Sequence, residues 1–419
     1  MHLLNNKLNL SIKFLISALP VSILIGPSVS LINIITLSLF GITILILLNK
    51  ENSLFKNQTI RLLFFLYLYL IFNTFISLNY EESFKRNFGF IRYIFLFIAI
   101  NYIFYVDKYN NFFLKIWTLV LLVVFFDIFY EFYNNKNILG FPSPLRRIVS
   151  FFKDEAIIGS FVNGFIFILI GFLFENYKKK NFFNNFFIFS FLFIGITCVI
   201  FSGERANTIK LILGITLFFF IIKKTKYIYW ITILSSIIIL LSVNFGQFKV
   251  LKTRFYDDIF PRLFNKDIRE NYLYFQLQAS GYQVFKTYPV FGVGNKNYRI
   301  ETCKTTDAAP IINNFNKTYR CNTHPHQVYI EFLSEHGLVG SIILIFLLFS
   351  LIFKNFKKII QDQNLIQIGC FCFLLTNFIP IIPGGSFFSD YSSVFFFINL
   401  SFLYAVNSKT NIFKKVDNF

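Results

Sequence analysis

What most restricts this chain is its succession of long apolar runs, several of them ended by a few lysines, too long and too many for the core of a soluble domain. They fall at about residues 10–26, 28–48, 62–78, 88–106, 112–132, 156–174, 182–201, 208–222 and 227–245, and again at about 338–353, 365–382 and 391–406. A backbone in lipid has to satisfy its hydrogen bonds internally, so apolar runs of this length are expected to be helices. The expected fold class is an all-α polytopic integral membrane protein with about 12 transmembrane helices and one large outer loop between helices 9 and 10. Residues 1–245 then carry helices 1–9, residues 246–337 the loop, and residues 338–419 helices 10–12 with a cytoplasmic tail.

The polar residues orient the bundle. Lys50, Lys56, the triplet Lys178, Lys179 and Lys180, then Lys223, Lys224 and Lys226, and finally Lys354, Lys357, Lys358, Lys409, Lys414 and Lys415 all lie in short connections. Lysine in short loops marks the cytoplasmic side, which puts both termini there. The same distribution accounts for the net charge of +19 and argues against nucleic acid, which needs a contiguous basic face. The first run follows Lys7 and Lys13 like a signal sequence, but no small-residue cleavage site follows, so an uncleaved helix is expected. Cys198, Cys370 and Cys372 lie in apolar runs and read as core residues. Cys303 and Cys321 share a polar loop and are able to pair if that loop faces an oxidising compartment. No cysteine stands at metal-ligand spacing with histidine.

On the outer side, THPHQVYIEFLSEHGLVG at 323–340 places three of the four histidines at the foot of a membrane run. Pro325 suits a helix start and Gly337 a helix end, which predicts a short helix over about 325–336. Gln327, Glu331 and Glu335 recur at a spacing of four on one side and Val328, Phe332 and Leu333 on the other, as in an amphipathic helix at an interface. Arg205, in SGERAN at 202–207, sits between two apolar runs, where arginine is costly and has a partner or a function. Arg269 and Arg147 are each ambiguous alone, a solvated charge being the plainer reading. PVFGVGNKNY at 289–298 reads as a glycine-bearing turn whose N–H groups are able to approach an anion, although it lacks the strand, lysine and serine of a phosphate loop. Asp257 and Asp258 have no DxD spacing and read as solvated.

Taken in order, SGERAN, Arg269, PVFGVG and HPHQVYIEFLSEHGLVG resemble the O-antigen ligase and O-antigen polymerase superfamily of membrane glycosyltransferases, and the stretch RIVSFFKDEAIIGSF from Arg147 looks like an upstream block of many members. In that family's signature a histidine is followed by Asn or Ser, nine residues, Gly, two residues and Gly; His326, Gln327, Gly337 and Gly340 match it, with Gln in the second place. The resemblance implies a periplasmic loop and site in a bacterial inner membrane. It also implies inverting, metal-independent transfer from an undecaprenyl-pyrophosphate-linked glycan to the hydroxyl of a glycan or lipid A-core acceptor, with no cofactor. His326 would be the catalytic base, and Arg205, Arg269 and Arg147 would hold the pyrophosphate, since guanidinium forks match phosphate oxygens. His324, Gln327, Tyr298 and Glu331 are the candidates for the acceptor site, with Tyr391 beside them. Growth of a polysaccharide by joining repeat units has the same chemistry and is the alternative to ligation. A polysaccharide transporter or flippase is the rival of another class; the lopsided layout of about nine spans before the loop and three after, with no repeated halves, weakens it.

Overall fold

The computed structural model describes residues 6–52, 54–107, 112–142, 147–153, 155–176, 182–224, 227, 249–257, 261, 264–266, 270–304 and 320–413. Among these the architecture is helical, with no strand beyond one antiparallel bridge between Lys136 and Pro142. The elements that matter are α1 (Asn6–Ile25), α2 (Pro27–Asn52), α3 (Gln58–Phe75), α4 (Tyr80–Gly89), α5 (Ile91–Val106), α6 (Phe112–Asn134), α7 (Ile158–Asn176), α8 (Phe182–Phe201) and α9 (Arg205–Ile221). They continue with α10 (Leu273–Thr287), α11 (Tyr298–Thr302), α12 (Val328–Phe353), α13 (Phe356–Asp362), α14 (Leu365–Thr376) and α15 (Asp390–Ala405). Eight stretches are helical, long and apolar enough to cross a membrane: α1, α2, α3, α4–α5, α6, α7, α8 and α12–α13. The expected spans near 208–222, 365–382 and 391–406 correspond to the shorter helices α9, α14 and α15. Of the expected span at 227–245, residues 228–245 lie outside the described residues, as does Arg269.

Local chemistry sets the boundaries. The side chain of Asn57 caps α3 by accepting from Thr59 N–H, and that of Asn79 caps α4 by accepting from Glu82 N–H. With Glu81 and Glu82 in its first turn, α4 extends the membrane helix back to Tyr80, eight residues before the expected start of that span at 88. The most enclosed span is α7, with 89% of its apolar window buried; α8, α14 and α15 pack around it, and α5 packs on α15. Leu10, Phe14, Ile32, Phe65 and Phe126, by contrast, stay exposed on the outermost helices, as a lipid-facing surface requires.

The connections gather at two ends. At one end Lys354 Nζ donates to Thr59 Oγ1 (2.9 Å), Asn57 Nδ2 to the Ile412 carbonyl (3.2 Å), and Lys409 pairs with Asp362 (2.5 Å). At the other, Arg86 and Arg92 pair with Asp390 (2.6 and 2.8 Å), and the main-chain N–H of Asn79 donates to Asn297 Oδ1 (2.7 Å). The turns between α6 and α7, α8 and α9, and α14 and α15 therefore share an end with the segment that precedes α12. Within that segment Cys303 and Cys321 form a disulfide.

Candidate active site

At this second end the turns enclose a cavity of about 910 Å³. Its lining includes Arg147 and Glu155 before α7, Gly203 to Asn207 and Lys210 at the start of α9, Tyr272 and Tyr274, Lys296, Thr323, His324 and His326, and residues 381–387 and 389–392. His324, His326, Arg147 and Arg205, four of the residues singled out in the sequence, thus share one space, with Tyr391 among them.

His326 is held by its backbone and its ring at once. It lies before α12 with φ +56°, a left-handed conformation that is uncommon for a side-chain-bearing residue. Its carbonyl accepts from Gly384 N–H (2.9 Å), while its ring Nδ1 lies 3.2 Å from the Gly384 carbonyl. A carbonyl only accepts, so that contact makes Nδ1 the protonated nitrogen and leaves Nε2 with its lone pair. Burial holds the imidazole below its usual range; the Gly384 contact opposes this and the Arg147 charge adds to it. The ring centroid lies 3.9 Å from that of His324 and 4.9 Å from that of Tyr274. Burial, then His326 and Lys296, press His324 down to about 3, so it is neutral at ordinary pH. Its Nδ1 meets Thr323 Oγ1 at 2.9 Å.

The two arginines are placed by buried carboxylates. Asp127 and Glu131, on α6, are buried; Glu131 accepts from Val149 N–H (3.1 Å) and Ser150 N–H (2.6 Å), and Asp127 from Ser150 Oγ (2.5 Å) and Ile138 N–H (2.8 Å). Two residues ahead of that anchor stands Arg147. At the head of α9, Glu204 accepts from Gly159 N–H (2.7 Å) and Asn207 Nδ2 (2.5 Å), which ties the SGERAN turn to the start of α7. Next to it, Arg205 Nη2 donates to Tyr272 Oη at 3.3 Å.

The histidine segment departs from the expected amphipathic helix at both ends. The helix begins at Val328, not at Pro325, and Gln327 is its cap: the side-chain oxygen accepts from Ile330 N–H (2.7 Å) and its Nε2 donates to the Pro380 carbonyl (2.6 Å). The Asn or Ser of the family signature is a cap-forming residue at the same place, and the longer Gln performs that role here. Glu331 and Glu335 are completely buried instead of solvated. Glu331 accepts from Ser386 Oγ (2.5 Å) and Phe387 N–H (2.9 Å), and Lys296 Nζ donates to the same Ser386 hydroxyl. A polar stripe at four-residue spacing reads as exposed only until a distant loop supplies its donors. Tyr298 is also buried, donating to the Leu277 carbonyl (3.2 Å), and neither it, Glu331 nor Gln327 lines the cavity.

At Gly337 the chain bends, with φ 64° and ψ −169°. The turn at 289–294 fills that break: Val293 and Gly294 N–H donate to the carbonyls of Ser334 (3.0 Å) and Glu335 (2.9 Å), while Leu338 and Val339 N–H donate back to Pro289 (2.8 Å) and Val290 (3.1 Å). The N–H groups of Val293 and Gly294 are thus committed to α12, so the stretch is the structural turn expected from the sequence and these two donors do not serve an anion. His336 sits in the same region, fully buried, with Nδ1 3.1 Å from Tyr69 Oη.

Lys210 and Lys296, two cations of the cavity, escape the sequence reading. Lysine inside an apolar run was the available signal for Lys210; Lys296, in a glycine-rich loop, offers none without the fold. Residues 190–345 match the model of the family described as O-antigen ligase. No curated protein matches the chain.

Proposed function

We propose, from the match of residues 190–345 to the family described as O-antigen ligase, that the chain is a membrane glycosyltransferase that moves a glycan from a polyprenyl pyrophosphate donor, of the undecaprenyl class, to the hydroxyl of an acceptor glycan. The observation that carries this reading is a neutral imidazole whose Nδ1 is tied to Gly384, in one cavity with Arg147 and Arg205. Hydroxyls are poor nucleophiles until a base takes their proton in the transition state. His326 Nε2 takes the acceptor proton, the acceptor oxygen bonds to the anomeric carbon, and the bond from that carbon to the pyrophosphate breaks, its electron pair leaving with the pyrophosphate. Attack opposite the leaving group inverts the anomeric centre. The guanidinium groups meet charge where it develops, the part a metal plays in other glycosyltransferases.

The site works at the periplasmic face of an inner membrane on this reading, with both termini in the cytoplasm. The lysine-bearing connections at the opposite end of the bundle support that orientation, and so does the Cys303–Cys321 disulfide, a bond of oxidising compartments.

The test is His326→Ala in purified protein supplied with lipid-linked donor and acceptor. Transfer should fall by about 100-fold or more, the range lost with a general base, while donor binding stays within a few-fold. Arg205→Ala should weaken donor binding and transfer together. Full transfer by His326→Ala would remove the base assignment, and unchanged donor affinity in Arg205→Ala would remove the clamp.

A further inference from the structure

The cations of the cavity differ in what balances them. Arg86 is paired with Asp390, Lys296 donates to Ser386 beside the buried carboxylate of Glu331, and Arg205 donates to Tyr272. Lys210 lines the same cavity, yet among the described residues it has no hydrogen bond and no ion pair. An ammonium on a membrane helix without a counter-charge is expensive to keep and points to a ligand. Its place is specific: a Cβ built on Gly384 would lie 3.5 Å from Lys210 Nζ, and the carbonyl of that glycine is the one facing His326 Nδ1. The ammonium and the base therefore flank one residue.

Depth along α9 separates Lys210 from Arg205. Five residues at about 1.5 Å per residue place it roughly 7.5 Å further from the head of the helix. The cavity wall there is apolar, with Ile209, Phe373, Ile381 and Ile382, and Ile209 and Ile381 are exposed. A polyprenyl pyrophosphate has the matching polarity, with its sugar at one end, two phosphates in between and hydrocarbon at the other. Building on the donor reading above, we propose that Lys210 binds the phosphate esterified to the lipid, with Arg147 and Arg205 left to the sugar-side phosphate and the hydrocarbon leaving over Ile209 and Ile381.

The experiment uses the full chain in detergent and three probes: a polyprenyl pyrophosphate, the corresponding polyprenyl monophosphate, which carries the lipid-side phosphate alone, and inorganic pyrophosphate. Lys210→Met should weaken monophosphate binding about 10- to 100-fold, the loss of one charge-assisted contact, with a smaller effect on inorganic pyrophosphate; Lys210→Arg should stay within a few-fold. Gly384→Ala keeps the charge and sets a methyl group in front of it at an ordinary contact distance, and should weaken the monophosphate as well. Lys210→Met should unfold no earlier than the parent on heating, since it removes an unbalanced charge. Unchanged monophosphate affinity in Lys210→Met would overturn the Lys210 assignment alone. Equal losses for the monophosphate and inorganic pyrophosphate would also overturn it, marking a site for free anions. A parent protein that binds neither polyprenyl lipid would overturn the donor reading together with the assignment.

Discussion

His326 is useful because of what its neighbours withhold from it. The carbonyl of Gly384 occupies Nδ1, burial and Arg147 disfavour a second proton, and Nε2 is the nitrogen left for the base that the proposed mechanism requires. A sign follows for pH dependence. In the proposed mechanism neutral imidazole is the working form, so kcat/KM should rise with pH along an acid limb centred below the ordinary histidine value of about 6.5. Arg147 is one of the groups that depress it, so in Arg147→Gln the limb of the residual activity should move upward, toward that value. A purely structural or donor-binding role for Arg147 would lower the activity and leave the limb where it was. The profile of kcat/KM against pH in the parent and the variant separates the two. The histidine itself was legible in the sequence from its signature and its place before a membrane run. Its tautomer was not, because the residue that sets it lies 58 positions away in the turn before α15.

At the scale of elements, α12 is the hinge of the design, and the signature glycines have a mechanical explanation. Gly337 occupies a backbone region reserved in practice for glycine, and a Cβ there would also lie 2.4 Å from the main chain of Val290. At Gly340 a Cβ would fall on the Tyr69 hydroxyl that faces His336. Gly140 makes a natural control: its φ is +86°, but nothing lies within 4 Å of an added Cβ. Gly140→Ala should therefore cost only the conformational strain, about 1–2 kcal/mol, whereas Gly337→Ala has to break the turn at 289–294 as well. Thermal unfolding in detergent should place Gly337→Ala clearly below Gly140→Ala; equal midpoints would mean that the turn does not depend on the break. Much of the helical layout could be read from apolar runs and lysines, since those are local properties. The burial of Glu331 and Glu335 could not, because their donors come from residues 296–298 and 386–387, and the polar stripe that hid them is the pattern an exposed helix also shows.

For the whole molecule, what has to hold is that every wall of the cavity faces the same compartment. The chain enters that end repeatedly, through the turns after α3, α6, α8 and α14 and through the segment ahead of α12, while Lys354 meets Thr59 and Lys409 meets Asp362 at the other. Alternation of helices makes this a single choice: fixing one loop fixes all of them. Lysine placement and the disulfide are the grounds on which the proposed function puts the cavity in the periplasm. Glu81, at the head of α4, and Lys409, after α15, are exposed positions at the two ends, and the free cysteines Cys198, Cys370 and Cys372 are buried and give little background. In intact cells a membrane-impermeant thiol reagent that reaches the periplasm should label Glu81→Cys and spare Lys409→Cys, with Lys409→Cys becoming reactive once the inner membrane is permeabilised. The opposite pattern would place His326, Arg147 and Arg205 in the cytoplasm, where a donor carried to the outer leaflet never meets them, and the proposed transfer would have no substrate on its side of the membrane.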